Sequence, residues 1–542
     1  MPPTHAVTNQ PPPLVDHHVY LGDLALTEAV RGYGAETDGL CELGRLAGTA
    51  EAQRWGAEAN AYPPVLRTHD RYGNRLDEVD FHPSWHRLMT EAVARGLAGA
   101  PWAASAGTRH VTRAAGFLVW SQVESGHGCP VSMTYSVVPA LRAQPDLAAV
   151  YESGLTATAY DPGLRDPATK SGLLAGMGMT EKQGGSDVRA NSTRAVPADD
   201  GTWRLTGHKW FCSAPMCDLF LVLAQAAAGD GHAELTCFLV PRVLPGGERN
   251  PFRLQRLKDK LGNRSNASSE VEFEDTVGWP VGPVGRGVAA ILEMVRMTRL
   301  DCVLGSAALQ RAAVAQAIHH ATHRRAFGGP LRGKPLMAAV LADLALESEA
   351  ATALAIRLAA AEDAGETDFG RLATAVGKFW VCKRAPVVVG EALECLGGNG
   401  YVEDSGLPRL YREAPLNSIW EGSGNVIALD VLRAVSRQPA AVAAVLAEIE
   451  AAAGADRRLD AATDRLRRDL ADAMAVESGA RVVAARLALA LQASLLVRHA
   501  PAAVADAYCA SRLGDGAGAG VPGSLPAGVD VTAIVDRAAP VR

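Results

Sequence analysis

The 542-residue sequence has no C-x-x-C pair. Its nine cysteines (Cys41, Cys129, Cys212, Cys217, Cys237, Cys302, Cys382, Cys395 and Cys509) are odd in number and scattered. That spacing supplies neither a disulfide framework nor a zinc ribbon, and free thiols in a reducing compartment are expected. Positive charge is not in excess either. The net charge of -6 gives no global field toward DNA or an acidic membrane, so only local basic patches remain. The opening MPPTHAVTNQPPPLVDHH puts prolines where a signal peptide needs an apolar core, and no long uncharged apolar run follows. The expected location is therefore the cytoplasm, without a membrane span. No strand–GxGxxG–helix unit appears, which weighs against a Rossmann-type cofactor site. What remains is a chain of ordinary globular composition, 48% hydrophobic and 21% charged, long enough for several buried cores.

The stretch to about Asp23 is proline-rich and predicted to be extended. From Ala25 to about Leu147, LTEAVRGYG, DGLCELGRLAGTAEAQRWGAEAN and HPSWHRLMTEAVARGLAG carry apolar residues at helical spacing. Around Gly172 the texture changes to short β-branched and aromatic runs: TWRLTGHKWFCS, LFLVLAQA, ELTCFLVP, FRLQRLK and SEVEFED. Past Gly285 four long amphipathic segments with short connections suggest a helical bundle, the third of them carrying Pro386, which predicts a kink or a repaired turn. An Ala- and Arg-rich helical section follows Pro439, and GDGAGAGVPGSLPAG near the end reads as flexible. Helices segregated from strands make this an α+β chain, mostly α. The expected domains are 1–172, an N-terminal extension and helical domain; 173–285, a β-domain; 286–438, a four-helix bundle; and 439–542, an additional C-terminal helical domain.

Three stretches carry chemistry. In GMTEKQGGSDVRA (Gly178–Ala190), Gly184 and Gly185 permit a sharp turn and close approach to a ligand, while Thr180 and Ser186 offer hydroxyls; the same residues also suit a plain hairpin-like loop. In LTGHKWFCS (Leu205–Ser213), Trp210 and Phe211 suit the wall of a flat ligand with Ser213 as a polar handle, and equally suit a core. In ECLGGNGYVEDSGLPRLYREAPLNSIWEGSGN (Glu394–Asn425), Gly397, Gly398 and Gly400 close a helix. Glu421 then sits between Trp420 and a Gly-Ser-Gly turn, where Asn425 is expected to cap the next helix and its free amides to suit an anion.

With HRRAFGGPL (His323–Leu331) between them, the first and third stretches resemble, in order, the signature regions of the acyl-CoA dehydrogenase family. The likeness runs from the N-terminal helices to about Arg433. RLKDKLGNRSNAS, LPRLYRE, NSIWEGSGN and the extra C-terminal section are similar to its AidB branch, the bacterial alkylation-response arm. The resemblance implies an N-terminal helical domain, a middle β-domain and a C-terminal four-helix bundle, here with an added helical domain, and FAD held between β-domain and bundle. It implies oxidation of the Cα–Cβ bond of an acyl-CoA thioester, with Glu421 as the base and its amide helping to polarise the thioester carbonyl. Burial beside Trp420 is expected to raise the Glu421 carboxyl pKa.

For FAD the same resemblance implies Met177, Met179, Thr180 and Ser186 from the first loop, Phe211 and Ser213 against the flavin, and Ser423 and Asn425 near the adenylate. Arg324, Phe327, Glu394 and Gly398 match positions that reach the FAD of a neighbouring subunit, so a homotetramer is expected. Arg299, Thr298 and Ser186 are the substrate-binding candidates. This chain departs from the family pattern at Phe211, where many members have tryptophan, and at Lys182-Gln183, where many have proline-glycine. Arg296 replaces an acidic residue that commonly helps bind CoA. The AidB-type branch further implies double-stranded DNA as a partner, with Arg437, Arg457, Arg467 and Arg512 as candidate contacts. The Asp-rich surroundings of these arginines suit a solvated packing face equally well. His319, His320 and His323 have partial metal spacing, but no local carboxylate completes a set, so no metal is expected. The acyl chain and the electron acceptor are not legible.

Overall fold

A computed structural model describes residues 4–103, 107–227, 233–472, 477–514 and 520–541. Residues 515–519, within the glycine-rich stretch expected to be flexible, lie outside the described residues. The N-terminal helices are α1 (Leu24–Gly32), α2 (Asp38–Ala47), α3 (Ala50–Ala61), α4 (Pro83–Ala94), α5 (Arg109–Ser121), α6 (Gly128–Leu141) and α7 (Pro145–Leu155). The strands are β1 (Val65–His69), β2 (Arg75–Asp80), β3 (Ala175–Gly178), β4 (Arg194–Pro197), β5 (Trp203–Ser213), β6 (Leu219–Ala227), β7 (Ala233–Pro241), β8 (Phe252–Leu257), β9 (Ser268–Pro280), β10 (Arg325–Ala326) and β11 (Gly329–Pro330). Then come α8 (Gly287–His323), α9 (Pro335–Ala364), α10 (Thr367–Cys395), α11 (Gly398–Tyr401), α12 (Leu407–Glu413) and α13 (Gly424–Arg437). The C-terminal section holds α14 (Pro439–Glu450), α15 (Arg457–Asp472), α16 (Ala480–His499), α17 (Ala502–Arg512) and α18 (Val531–Ala538).

The chain divides into two compact units, each discontinuous in sequence. One comprises residues 54–107 and 124–301. Its centre is a seven-stranded mixed sheet of order β3-β6-β4-β5-β9-β7, with β8 also on β9. β6, LFLVLAQAA, is buried over most of its length, as a central strand requires. β5 pairs antiparallel with β9, but the register slips between Lys209 and Cys212. That bulge breaks the in–out alternation, so Phe211 is 50% exposed while Cys212 is buried. The expectation of a purely helical pattern from Ala25 to about Leu147 is corrected here, because β1 and β2 form an antiparallel hairpin. The Asp70 carboxylate accepts from the Tyr72 and Asn74 amides at 2.7 and 2.9 Å, closing an Asx-type turn that helical periodicity does not reveal.

The other unit comprises residues 1–53, 108–123 and 302–542. Within it α10 packs on α9, α13, α14 and α16. Pro386 lies inside α10, which nevertheless runs as one helix. Among the described residues, the segment Glu477–His499 is long and apolar enough to cross a membrane, with a mean hydropathy of 1.6, and 67% of that window is buried inside the protein. All nine cysteines are free, and all but Cys41 are buried. His319 bonds the Pro12 carbonyl and His323 the His319 carbonyl, each at 2.8 Å.

Ion pairs centred on mostly buried arginines fasten the C-terminal helices. Arg357 bonds Glu366 and Glu448 at 2.6 and 2.7 Å, and Arg537 holds Glu28 and Glu349. Arg512 corrects an expectation. Proposed from sequence as a DNA contact, it is mostly buried and bonds Asp343 and, at 2.9 Å, Glu347. Its guanidinium clamps α17 onto α9 through Nε and Nη2, and its charge is balanced by the two carboxylates. Arg512→Met is expected to leave Asp343 without its charge partner and Glu347 with Arg384 alone, at a cost of about 3 kcal/mol. Exposed Arg457→Met is expected to stay within about 0.5 kcal/mol of the parent. Chemical denaturation followed by helical ellipticity checks both; equal stabilities for the two variants would reject the clamp.

Candidate functional site

In the sheet-bearing unit, the loop after β3 is tied down from beneath by Glu181. Its side chain is fully buried, 2.8 Å from the equally buried Lys209 Nζ on β5. The carboxylate also accepts from the Ser192 amide (2.6 Å), the Ser192 hydroxyl (2.8 Å) and the Thr193 amide (3.1 Å). Lys209 donates a second bond to the Leu223 carbonyl on β6 at 2.7 Å. Burial by itself would raise the Glu181 carboxyl, but the Lys209 charge and these hydrogen bonds outweigh it and hold it down to about 2. Neither residue stood out in sequence; the available signal was a lone lysine on an otherwise inward-facing strand position.

The anchored loop lies along β5. The Trp210 amide donates to the Thr180 carbonyl at 2.8 Å, and the Asn191 side-chain amide donates to the Met179 carbonyl at 2.9 Å. Met177, on β3, accepts from Cys212 Sγ. A Cβ at Gly185 would come within 2.4 Å of Thr180 Oγ1, so this turn closes only on glycine. The structure therefore brings together Met177, Met179, Thr180, Phe211 and Ser213, as the sequence implied. Among the described residues, the hydroxyls of Thr180 and Ser186 have no partner. These hydroxyls and the half-exposed Phe211 ring on β5 are the kinds of group that suit a ligand combining a flat ring with polar edges. Lys258 Nζ stands 3.2 Å from the Trp210 ring centroid and 4.7 Å from that of Phe211. Thr298 is buried and donates to the Val295 carbonyl, while Arg299 is half-buried one residue on.

In the helical unit, Glu421 adopts φ +58, a left-handed conformation that disfavours a side chain bearing Cβ. The restraint that keeps it there is Lys378. This lysine is 1% exposed inside α10, and its Nζ donates to the carbonyls on both sides of Glu421: Trp420 O at 2.8 Å and Gly422 O. Trp420 is held in turn, its indole N–H donating to Asn417 Oδ1 at 2.9 Å, while Asn417 Nδ2 donates to Ser306 Oγ at 3.1 Å. Glu421 itself is half-buried. Lys378 was missed in sequence, although a single cation within the apolar run LATAVGKFWV marks it. The N-cap of α13 is Ser423. Asn425, expected as the cap, sits inside the first turn, where its Oδ1 accepts from Arg481 at 2.8 Å.

The remaining predicted residues also fall in this unit. Phe327 is 92% exposed at the tip of the β10–β11 hairpin, where Phe327 and Gly328 both have positive φ, as a tight two-residue turn demands. Arg324 donates to the Asn9 carbonyl, and Asn9 also bonds the Arg325 backbone. The next residue, Gln10, accepts from Asn399 at 3.1 Å. One extended run thus ties the hairpin to the exposed Gly398–Asn399 turn after Glu394 and α10.

Residues 9–162 match the family described as adaptive response protein AidB N-terminal domain. Residues 176–276 match the acyl-CoA dehydrogenase middle domain, and residues 285–436 its C-terminal domain. AidB of Escherichia coli (strain K12) is 47% identical over 514 residues, covering 93% of this chain and 94% of that protein. The crystal structure of Caenorhabditis elegans ACDH-11 in complex with C11-CoA aligns with TM-score 0.85 and 28% identity, covering 94% of each chain. An acyl-CoA dehydrogenase from Bacillus anthracis complexed with FAD shares the fold, with TM-score 0.61, 18% identity, and 79% and 77% of the two chains covered.

Glu181 contributes stability that is complete above its ordinary value of 4.5 and is lost as pH falls toward about 2. Lys209→Met is expected to cost about 3–5 kcal/mol at pH 7, with the deficit shrinking in acid as Glu181 protonates. Glu181→Gln/Lys209→Met should recover at least half of the lost thermal midpoint. A double variant no more stable than the single one would show that the pair is not coupled.

Proposed function

The chain belongs to the acyl-CoA dehydrogenase family, whose cofactor is FAD, and from that premise we propose that it oxidises the Cα–Cβ bond of a short or branched acyl-CoA thioester with Glu421 as base. The observation that carries this reading is the strained Glu421 backbone, clamped on both sides by Lys378. A left-handed residue held by a buried cation is costly unless its direction matters. When bound, FAD supplies the acceptor for the β-hydride. The protein's part is to take the α-proton on the Glu421 carboxylate, to donate the Glu421 amide to the thioester oxygen, and to keep the carboxylate aimed while charge develops. The C11-CoA held by the similar ACDH-11 structure supports a thioester ligand. The exposed Phe327 on its strained hairpin suits a homotetramer in which each copy reaches its neighbour's cofactor.

A second reading, contact with double-stranded DNA, is favoured by Arg437, Arg457, Arg465 and Arg468. All four are exposed, and none has a carboxylate partner among the described residues. Arg467 does not join them freely, because it pairs with Glu450 at 2.7 Å and Asp464 at 3.3 Å.

Anaerobic addition of an acyl-CoA panel is expected to bleach the flavin absorbance. Glu421→Gln should abolish bleaching with FAD retained, and Lys378→Met should slow it about 10²-fold through misplacement of the carboxylate. A panel that leaves the flavin oxidised throughout would reject dehydrogenation. For the second reading, duplex DNA retention in a gel should fall steeply with added salt, with a slope reduced by about one per arginine removed. No retention at low salt would exclude it.

A further inference from the structure

A cavity of about 300 Å³ opens in the helical unit between α1, α9, the C-terminal end of α16, and α18. None of the residues that line it belongs to the cofactor, thioester or base positions described above. Its volume lies at the lower end of the range of small-molecule sites, about 300–1,000 Å³. Small side chains make the space. Ala25 and Ala29 of α1 and Ala353 of α9 line it without filling it. Leu495 and Leu496 of α16, both buried, add the rest of the apolar wall.

The charged side chains at this cavity do not balance. Arg537 of α18 is shared by Glu28 of α1 and by Glu349 of α9, 3.0 Å away. Arg498 also lines the cavity, but it belongs to a set in which two arginines, Arg498 and Arg357, meet two carboxylates, Glu448 and Glu366. Among the described residues, one carboxylate of the Glu28–Arg537–Glu349 set is therefore in surplus. Glu349 registers the surplus: burial outweighs the Arg537 guanidinium and lifts its carboxyl above the ordinary value, with Asp23 and Glu28 adding to the rise. His499 does not supply the missing charge, because burial and then Arg498 lower its imidazole pKa. The end of α16 adds to the negative field. Its capping amide, Ala500 N–H, takes the Leu496 carbonyl, and the negative end of a 20-residue helix stands at the cavity. Tyr33 completes the lining, and among the described residues its hydroxyl has no hydrogen-bond partner.

We propose that this cavity binds a small aliphatic amine as its ammonium ion, with the charge held by Glu349 and Glu28 and the carbon body against Ala29, Ala353, Leu495 and Leu496. The carboxylates accept the ammonium N–H groups, and the Tyr33 hydroxyl offers a further acceptor. A hard metal ion requires an all-oxygen shell, and much of this lining is carbon. An anion would meet the surplus carboxylate and the helix C-terminus. The inference is independent of dehydrogenation and of DNA contact. Because α1, α9, α16 and α18 all contribute, an occupied cavity fastens the added C-terminal helices to the rest of the unit.

The test titrates full-length holoprotein with n-pentylamine by calorimetry at neutral pH. One saturable site per chain is expected, with a thermal midpoint that rises as the amine is added. Pentanoate and n-pentanol, of matching length, should bind at least about 10-fold more weakly. Glu349→Gln is expected to raise the Kd for pentylamine by about 10-fold or more. Ala353→Leu and Ala29→Leu fill the space from two helices without touching a charge, and each should abolish binding. Thermal midpoints near the parent's without amine establish that the variants are folded, as cavity filling leads one to expect. The flavin spectrum should stay constant throughout the titration. Heat that does not saturate, or pentanoate or pentanol bound as tightly as the amine, overturns the proposal. So does pentylamine affinity that survives both leucine variants, or displacement of the amine by an equal concentration of magnesium chloride. A flavin spectrum that moves with the titration also overturns it, because the amine is then at the cofactor site instead.

Discussion

The site depends on Lys378. A lysine 1% exposed in the middle of a bundle helix is expensive to bury, and the cost is offset only where its donors are satisfied. Here the acceptors are the two carbonyls that bracket Glu421. Fixing both peptide planes leaves the residue between them one conformation, and that conformation is left-handed. The direction of the carboxylate is therefore set in the first place by backbone geometry. The Trp420 ring is held in addition through Asn417 and Ser306, while its carbonyl is one of the two that Lys378 fixes.

The sheet-bearing unit solves a similar problem with the charges reversed in role. Glu181 collects two amides, a hydroxyl and Lys209 beneath the loop after β3. Ionised acceptors bind N–H groups more strongly than neutral ones, so one buried carboxylate can shape a loop that has little apolar surface of its own. The exposed groups of that loop and of β5 then remain available: the Thr180 and Ser186 hydroxyls by having no partner among the described residues, Phe211 because a bulge turns it outward.

In the C-terminal section some cations are paired with carboxylates and others are not. Arg512, Arg537 and Arg498 are surrounded by carboxylates and serve as clamps. Among the described residues, Arg481 and Lys383 have none and stand at a helix start. Residue type alone does not separate these roles, because an arginine on an amphipathic helix reads the same whether its partner lies seventeen or one hundred and seventy residues away.

Local order in the sequence determined much of this protein. Periods of three to four and of two set the bundle helices and the β-domain strands, and the glycines of GMTEKQGGSDVRA and ECLGGNG marked two of the turns that matter. The family resemblance pointed to Glu421 and to the FAD loop. The β1–β2 hairpin escaped because its turn is made by one Asp70 side chain rather than by periodicity. The cap of α13 was misplaced by two residues because Asn425 is claimed by Arg481 from fifty-six positions away. Lys378, Lys209 and the burial of Arg512 were decided only in three dimensions. A buried charge is tolerated solely where distant backbone or carboxylate groups converge on it, and that convergence belongs to the packing, not to the order of residues.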